Sequence, residues 1–242
     1  MDVYVKGDAE DWNGSRPVDV RAVVMDVIRQ FSRHLEQNPL PSVVFLHPGS
    51  PLTRHLQAGD DPRSVYVHCS HNDWSRLSYE FAHELCHLLT VPDRLMNSKN
   101  NWFVESICEL ASVFAIRSMS KSWVTHPPYG HWANYAKSLE TYAQKHIDGM
   151  GKLARGQTLK HWLAENETAL RGNPIHRRLN HVTALALLPL FESSPGLWNA
   201  LQYLPSLGEN QSEYLRFWHQ YAPVKHRQDI AAVAREFGVT LA

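Results

Sequence analysis

From residue 73 onward, apolar residues recur at the spacing of an α-helix in almost every segment, and this periodicity restricts the fold more than any other feature of the sequence. Apolar side chains that return every three or four residues form a stripe along one helix face, which must pack against another element. We therefore expect a mostly helical protein. The pattern predicts helices over 18–36, 73–90, 101–121, 130–150, 158–170, 175–191, 196–203, 212–221 and 226–237.

Two short segments before residue 73 have the composition of β-strands. Residues 42–46 and 64–69 are rich in β-branched or aromatic residues and are bounded by Pro, Gly or Asp. The stretch 48–63 between them is rich in Gly, Pro and Asp, which predicts an exposed loop. A small N-terminal sheet followed by helices indicates the α+β class.

Two consecutive prolines interrupt the helical pattern within 122–131 and suggest an internal boundary. We predict an α/β part over residues 1–125, with any active site between this part and the rest of the chain. A helical part over residues 126–242 would then close the cleft, either as a second domain or as a continuation of the first.

The helix predicted over 73–90 contains the pattern His-Glu-x-x-His, formed by His83, Glu84 and His87. Residues four apart on a helix differ by only about 40° in direction, so both imidazoles can reach one metal ion. Glu84 lies about 100° away from His83, beside the ion, where it can take a proton from a metal-bound water. The sequence therefore predicts a metal site on the polar face of this helix.

The next predicted helix has two glutamates one turn apart, Glu105 and Glu109, on one stripe with Ser112. Like charges at this spacing disfavour each other unless a cation or a hydrogen-bond donor is close. The flanking residues are mostly large and apolar, so the helix should be buried, and buried carboxylates need partners. A metal ion shared with His83 and His87 would provide one.

This arrangement of His83, Glu84, His87 and Glu105, with a further acid four positions later, resembles the gluzincin metallopeptidases, the class that contains thermolysin and the zinc aminopeptidases. The resemblance covers roughly residues 64–121. It implies a zincin-like core with an active-site helix and a third-ligand helix. It also implies that His83, His87 and Glu105 bind Zn²⁺, that Glu84 is the general base, and that Glu109 has the place of the acid that orients a ligand histidine.

Three further points concern the third ligand, the substrate and the oxyanion. Residues 111–115, Ala-Ser-Val-Phe-Ala, are similar to short intracellular members of the class, and that register would make Glu109 the third ligand in place of Glu105. The strand predicted over 64–69 could hold an extended peptide by β-augmentation. A gluzincin also has a Tyr or His that stabilises the oxyanion, and the sequence offers Tyr129, His131, Tyr135, His176 and His181 for this role.

The donor set predicts an enzyme. Two histidines and one glutamate leave a fourth position on zinc for water, which is the mark of a catalytic site. We therefore expect a zinc metallopeptidase, a hydrolase that acts on a peptide or protein substrate. The alternative is a non-catalytic metal-binding module with a regulatory or interaction role. Glu84 favours the enzyme, because a scaffold would have no use for that carboxylate.

Charge, hydropathy and cysteine content restrict the setting. The 24 Lys+Arg and 24 Asp+Glu balance, which gives no support to nucleic-acid binding. The longest apolar stretch, near 182–191, is about half the length that a bilayer span needs, so no membrane partner is expected. Cys69, Cys86 and Cys108 are too few for a disulfide framework and favour a reducing compartment, the cytoplasm. Cys86 and Cys108 are interpreted as small buried hydrophobic residues.

Overall fold

The computed structural model describes residues 1–36, 42–54, 63–90, 99–149 and 151–241. It is mostly helical with a small sheet near the N-terminus, as the sequence predicts. None of the described helices is both long and apolar enough to cross a membrane. The helices are α1 (Pro17–Ser32), α2 (Trp74–Leu89), α3 (Asn101–Ser122), α4 (Ala136–Gly149), α5 (Leu159–Gly172), α6 (Arg177–Ser193), α7 (Gly196–Ala200), α8 (Gln211–Tyr221) and α9 (Val224–Glu236), with short 3-10 helices at Gly130–Tyr135 and Leu201–Tyr203.

The sheet has four strands in the spatial order β1-β2-β4-β3. The three strands β1, β2 and β4 are parallel, and β3 runs antiparallel to β4. Helix α1 connects β1 to β2, because parallel neighbours need a crossover, and it buries its valine-rich face. The strands are β1 (Asp2–Val5), β2 (Val43–Pro48), β3 (Leu52–Arg54) and β4 (Arg63–Val67).

Two of these strands differ from the sequence prediction. The predicted strands over 42–46 and 64–69 correspond to β2 and β4, whereas β1 and β3 are not predicted. Strand β3 falls inside 48–63, which is predicted as a loop; residues 55–62 of that stretch lie outside the described residues. Both missed strands are short, and they are held by backbone pairing, β1 with β2 and β3 with β4.

Helix α2 is anchored by two hydrogen bonds between side chains and the backbone. The carboxylate of Asp73 accepts a hydrogen bond from the backbone N–H of Arg76, at 3.1 Å, which caps the first turn. Glu80 accepts a second one from the backbone N–H of His68, at 2.7 Å. Because His68 directly follows β4, this bond attaches the helix to the end of that strand.

Helix α3 is buried along most of its length, with large apolar residues nearly all round. Such a helix belongs to the core of a protein. Ser112 is one of its buried polar residues, and its hydroxyl donates a hydrogen bond to the backbone carbonyl of Tyr79 on α2, at 2.8 Å. This bond fixes the point at which α3 lies against α2.

The chain divides into two compact units. The predicted boundary between residues 125 and 126 lies inside the first of them. Helix α3 continues without a break from the second unit into the first, so its residues keep one helical phase throughout. The first unit comprises Met1–Arg33, Asn38–Leu88 and Ala111–His146, and the second comprises His34–Gln37, Leu89–Leu110 and Ile147–Ala242.

Aromatic residues form part of the core of the second unit. Phe103 packs edge-on against Tyr214 and Phe237, with ring centroids 5.7 and 5.9 Å apart. Trp218 also packs edge-on against Phe103, at 6.1 Å, and is fully buried. Edge-on aromatic pairs add stability beyond the area that they bury. These aromatic residues therefore act as core residues.

Replacing Ser112 with Ala should lower the free energy of unfolding by about 1 kcal/mol, because the buried hydrogen bond to Tyr79 is lost. Thermal unfolding measured with a chelator present, so that no metal contributes, would test this. Ser120→Ala is the control, since the Ser120 hydroxyl bonds to the carbonyl of Arg117 within α3 itself. Equal melting temperatures for the two variants would contradict the role of Ser112 in joining the helices.

Candidate metal centre

His83 and His87 lie one turn apart on the polar side of α2, and their ring centroids are 5.1 Å apart. Both imidazoles are half-buried, whereas Glu84 is only 5 % exposed. The helix that the His-Glu-x-x-His spacing requires is therefore present, with two imidazoles close together and a buried carboxylate between them in the sequence.

A third potential ligand joins the two histidines. The third residue is Cys108: it, His83 and His87 each offer one ligand atom, and the three atoms lie within 4.8 Å of one another. These residues are the group of potential metal ligands found among the described residues. Two imidazoles and a thiolate suit zinc, which prefers nitrogen and sulfur donors in a tetrahedron. Zinc bonds of about 2.0–2.3 Å place ligand atoms about 3.3–3.6 Å apart, so any two of these atoms need to converge by at most about 1.5 Å.

The position of Cys108 follows from how α3 lies against α2. The hydrogen bond from Ser112 to Tyr79 marks the contact between the helices. His83 is one turn beyond Tyr79 on α2, and Cys108 is one turn before Ser112 on α3, so each lies on the same face as its neighbour. The sequence interpretation of Cys108 as a buried residue is confirmed, since it is fully buried. The sequence does not predict its place beside the two histidines.

Neither predicted acid is part of this group. Among the described residues, no group of potential ligand atoms within 4.8 Å of one another includes Glu105 or Glu109. Glu105 is half-buried, and Glu109 is 4 % exposed. Glu105 as third ligand, and Glu109 as its alternative, stay predictions. The sequence does contain an indication for Cys108, because it follows Glu105 by three residues and so lies on the same face of α3 as the two glutamates.

Glu109 has a specific buried partner. Its Oε1 lies 3.0 Å from Nδ1 of His181, on α6, and His181 is fully buried. An ionised Glu109 carboxylate would accept this hydrogen bond from Nδ1–H of the imidazole. The sequence analysis predicts that two glutamates one turn apart need a cation or a hydrogen-bonding partner. For Glu109, this partner is His181.

Tyr135, like His181, is one of the five residues that the sequence offers for stabilising the oxyanion, and it too has hydrogen-bond partners. The hydroxyl of Tyr135 accepts hydrogen bonds from the backbone N–H of Ser75, at 3.2 Å, and from its side chain, at 3.4 Å. Burial raises the pKa of Tyr135 above its ordinary value, despite these bonds. Tyr135 thus remains a neutral phenol in the ordinary pH range and is bonded to the first turn of α2.

The strand predicted to hold a peptide is already paired on both sides. Residues 64–66 of β4 pair with β3 on one side and with β2 on the other. Of the stretch 64–69, for which β-augmentation is expected, the expectation is therefore wrong for residues 64–66, because their backbone groups are paired within the sheet. The outer position next to β4 belongs to β3.

Comparison with known proteins adds no relative: no family model matches the chain, and no curated protein or solved structure matches it either. The features that bear on function are therefore the motif on α2 and the ligand group that it forms with α3.

Zinc-loaded, dialysed protein should contain about one zinc ion per chain, as expected for a single site of this kind. His83→Ala and His87→Ala should each lose most of that zinc, because each removes a nitrogen donor. Metal analysis by mass spectrometry is the measurement. His161→Ala is the control, since His161 is exposed on α5. If His83→Ala and His161→Ala contained the same amount of zinc, the assignment of His83 as a ligand would be contradicted.

Proposed function

We propose that this protein is a zinc-dependent metallopeptidase, which hydrolyses peptide bonds with a metal-activated water and with Glu84 as general base. One observation carries the proposal: His83 and His87 are adjacent on α2, with the buried Glu84 between them in the sequence. This spacing gives one metal two imidazole ligands and a carboxylate next to it. The order of β4, α2 and α3 along the chain agrees with the zincin-like core that the gluzincin resemblance implies.

The chain's own catalytic contribution is proton transfer by Glu84. Zinc, when bound, would lower the pKa of a water molecule to about 7 and polarise the carbonyl group of the substrate. Glu84 accepts the proton of the attacking water and later returns it to the nitrogen of the leaving amine. Its burial supports this role, because hydrogen bonds to a carboxylate are stronger where the local dielectric constant is low.

Helix α3 supplies the remaining protein ligand in this proposal. The resemblance assigns the role to Glu105, and the alternative register assigns it to Glu109. With either acid, two neutral imidazoles and one anionic donor leave the ion positively charged and leave its fourth position to water.

The proposed substrate is a peptide or protein, and the proposed setting is the reducing cytoplasm. Free, buried cysteines support that setting, since Cys69, Cys86 and Cys108 form no disulfide. The balanced net charge supports a function without nucleic acid.

A second candidate function is a non-catalytic metal-binding module with a regulatory or interaction role. The observation that favours it is the position of Cys108, because thiolates are the usual ligands of structural zinc sites. If both Cys108 and Glu105 bound the ion together with the two histidines, four protein ligands would close the coordination and exclude water.

Glu84→Gln should reduce peptide hydrolysis by at least about 100-fold, because the variant removes the proton acceptor. Zinc content should stay the same, since Glu84 is not a ligand. The measurement is the release of fragments from unfolded casein and from a mixed peptide library, followed by mass spectrometry.

Glu140→Gln is the matched control for this experiment, since it removes the same charge from an exposed position on α4. If Glu84→Gln hydrolysed peptides at the same rate as Glu140→Gln, the role of Glu84 as general base would be contradicted. Zinc-loaded protein that cleaves no substrate in the library would favour the metal-binding module.

A further inference from the structure

We propose that the third protein ligand of this metal centre is the thiolate of Cys108, in the place that the resemblance assigns to Glu105. The proposal rests on the proposed function in one respect, since it requires that His83 and His87 bind a divalent metal. It changes the identity of the anionic ligand and keeps the role of Glu84.

The distances favour sulfur over the carboxylates. The Sγ of Cys108 is within 4.8 Å of a ring nitrogen of each histidine, and neither Glu105 nor Glu109 enters such a group among the described residues. Zinc–sulfur bonds, at about 2.3 Å, are also longer than zinc–oxygen bonds, so sulfur needs the smaller movement to reach the ion.

The short side chain of Cys108 leaves its sulfur atom little conformational freedom. Only one side-chain torsion places Sγ, so the packing of α3 against α2 largely decides where the sulfur lies. Ser112, one turn further along α3, is fixed to α2 by its hydrogen bond to Tyr79. Glu105 has three side-chain torsions to order and loses more conformational entropy when it binds an ion.

Glu109 is held by a competing interaction. Its carboxylate pairs with Nδ1 of His181 at 3.0 Å, and both side chains are buried. Turning the carboxylate towards the histidines of α2 would take this hydrogen bond from a buried imidazole, which is costly. Glu109 is therefore better suited to orienting His181 than to binding the ion.

A thiolate in this position is compatible with catalysis. Cys108 gives one negative charge, as a glutamate would, and two imidazoles complete a set of three protein ligands. The fourth position stays available to water, as in catalytic sites that combine Cys and His. Soft sulfur favours zinc and other late transition ions over magnesium or calcium.

Cobalt substitution tests the ligand directly. The wild-type protein loaded with Co²⁺ should show thiolate-to-cobalt charge-transfer absorption in the near ultraviolet, and Cys108→Ser should lack it. Cys86→Ser is the matched control, because Cys86 is also fully buried and lies inside the motif on α2, yet it is outside the ligand group. Cys86→Ser should keep the absorption.

Zinc affinity gives a second measurement. Cys108→Ser should raise the zinc dissociation constant by at least about 100-fold, beyond the effect of losing an outer partner of a ligand. Glu105→Ala and Glu109→Ala should raise it less. Circular dichroism with a chelator present would establish that each variant is folded.

The outcomes separate this proposal from the proposed function. Wild-type protein that binds Co²⁺ without the charge-transfer absorption would overturn the role of Cys108 and leave the metallopeptidase proposal standing. Glu105→Ala with the largest loss of zinc affinity would overturn it in the same way and restore Glu105. Wild-type protein that binds neither Co²⁺ nor zinc would overturn both.

Discussion

The contact between α2 and α3 is the interaction on which the candidate site depends. The hydroxyl of Ser112 bonds to the carbonyl of Tyr79, and one turn along each helix leads from this bond to Cys108 and His83. A shift of α3 by a single turn, about 5.4 Å, would separate these donor atoms beyond the reach of one ion. The packing of the two helices therefore acts as the scaffold of the metal centre.

Helices α2 and α3 each carry a buried carboxylate. Glu84 and Glu109 are both at least nine-tenths buried, although carboxylates are costly to bury without partners. His181 meets this need for Glu109. A core built only for stability would use apolar residues in such places, so the retained polar groups agree with a chemical role for this part of the molecule.

Local sequence patterns predict the two helices well. The prediction over 73–90 corresponds to Trp74–Leu89, and the prediction over 101–121 corresponds to Asn101–Ser122, because apolar periodicity is a property of each segment alone. Strands β1 and β3 could not be predicted in this way, because they have only four and three residues and are held by backbone pairing, β1 with β2 and β3 with β4. The place of Cys108 beside His83 depends likewise on how two helices cross, which neither helix encodes separately.

The central claim is that α2 and α3 together bind one divalent metal ion. Anomalous diffraction at the zinc absorption edge, from crystals of the zinc-loaded protein, tests it most directly. We expect one ion bonded to ring nitrogens of both His83 and His87, with a third donor from α3. A zinc ion bound elsewhere in the protein, with no ion bonded to both imidazoles, would contradict this claim.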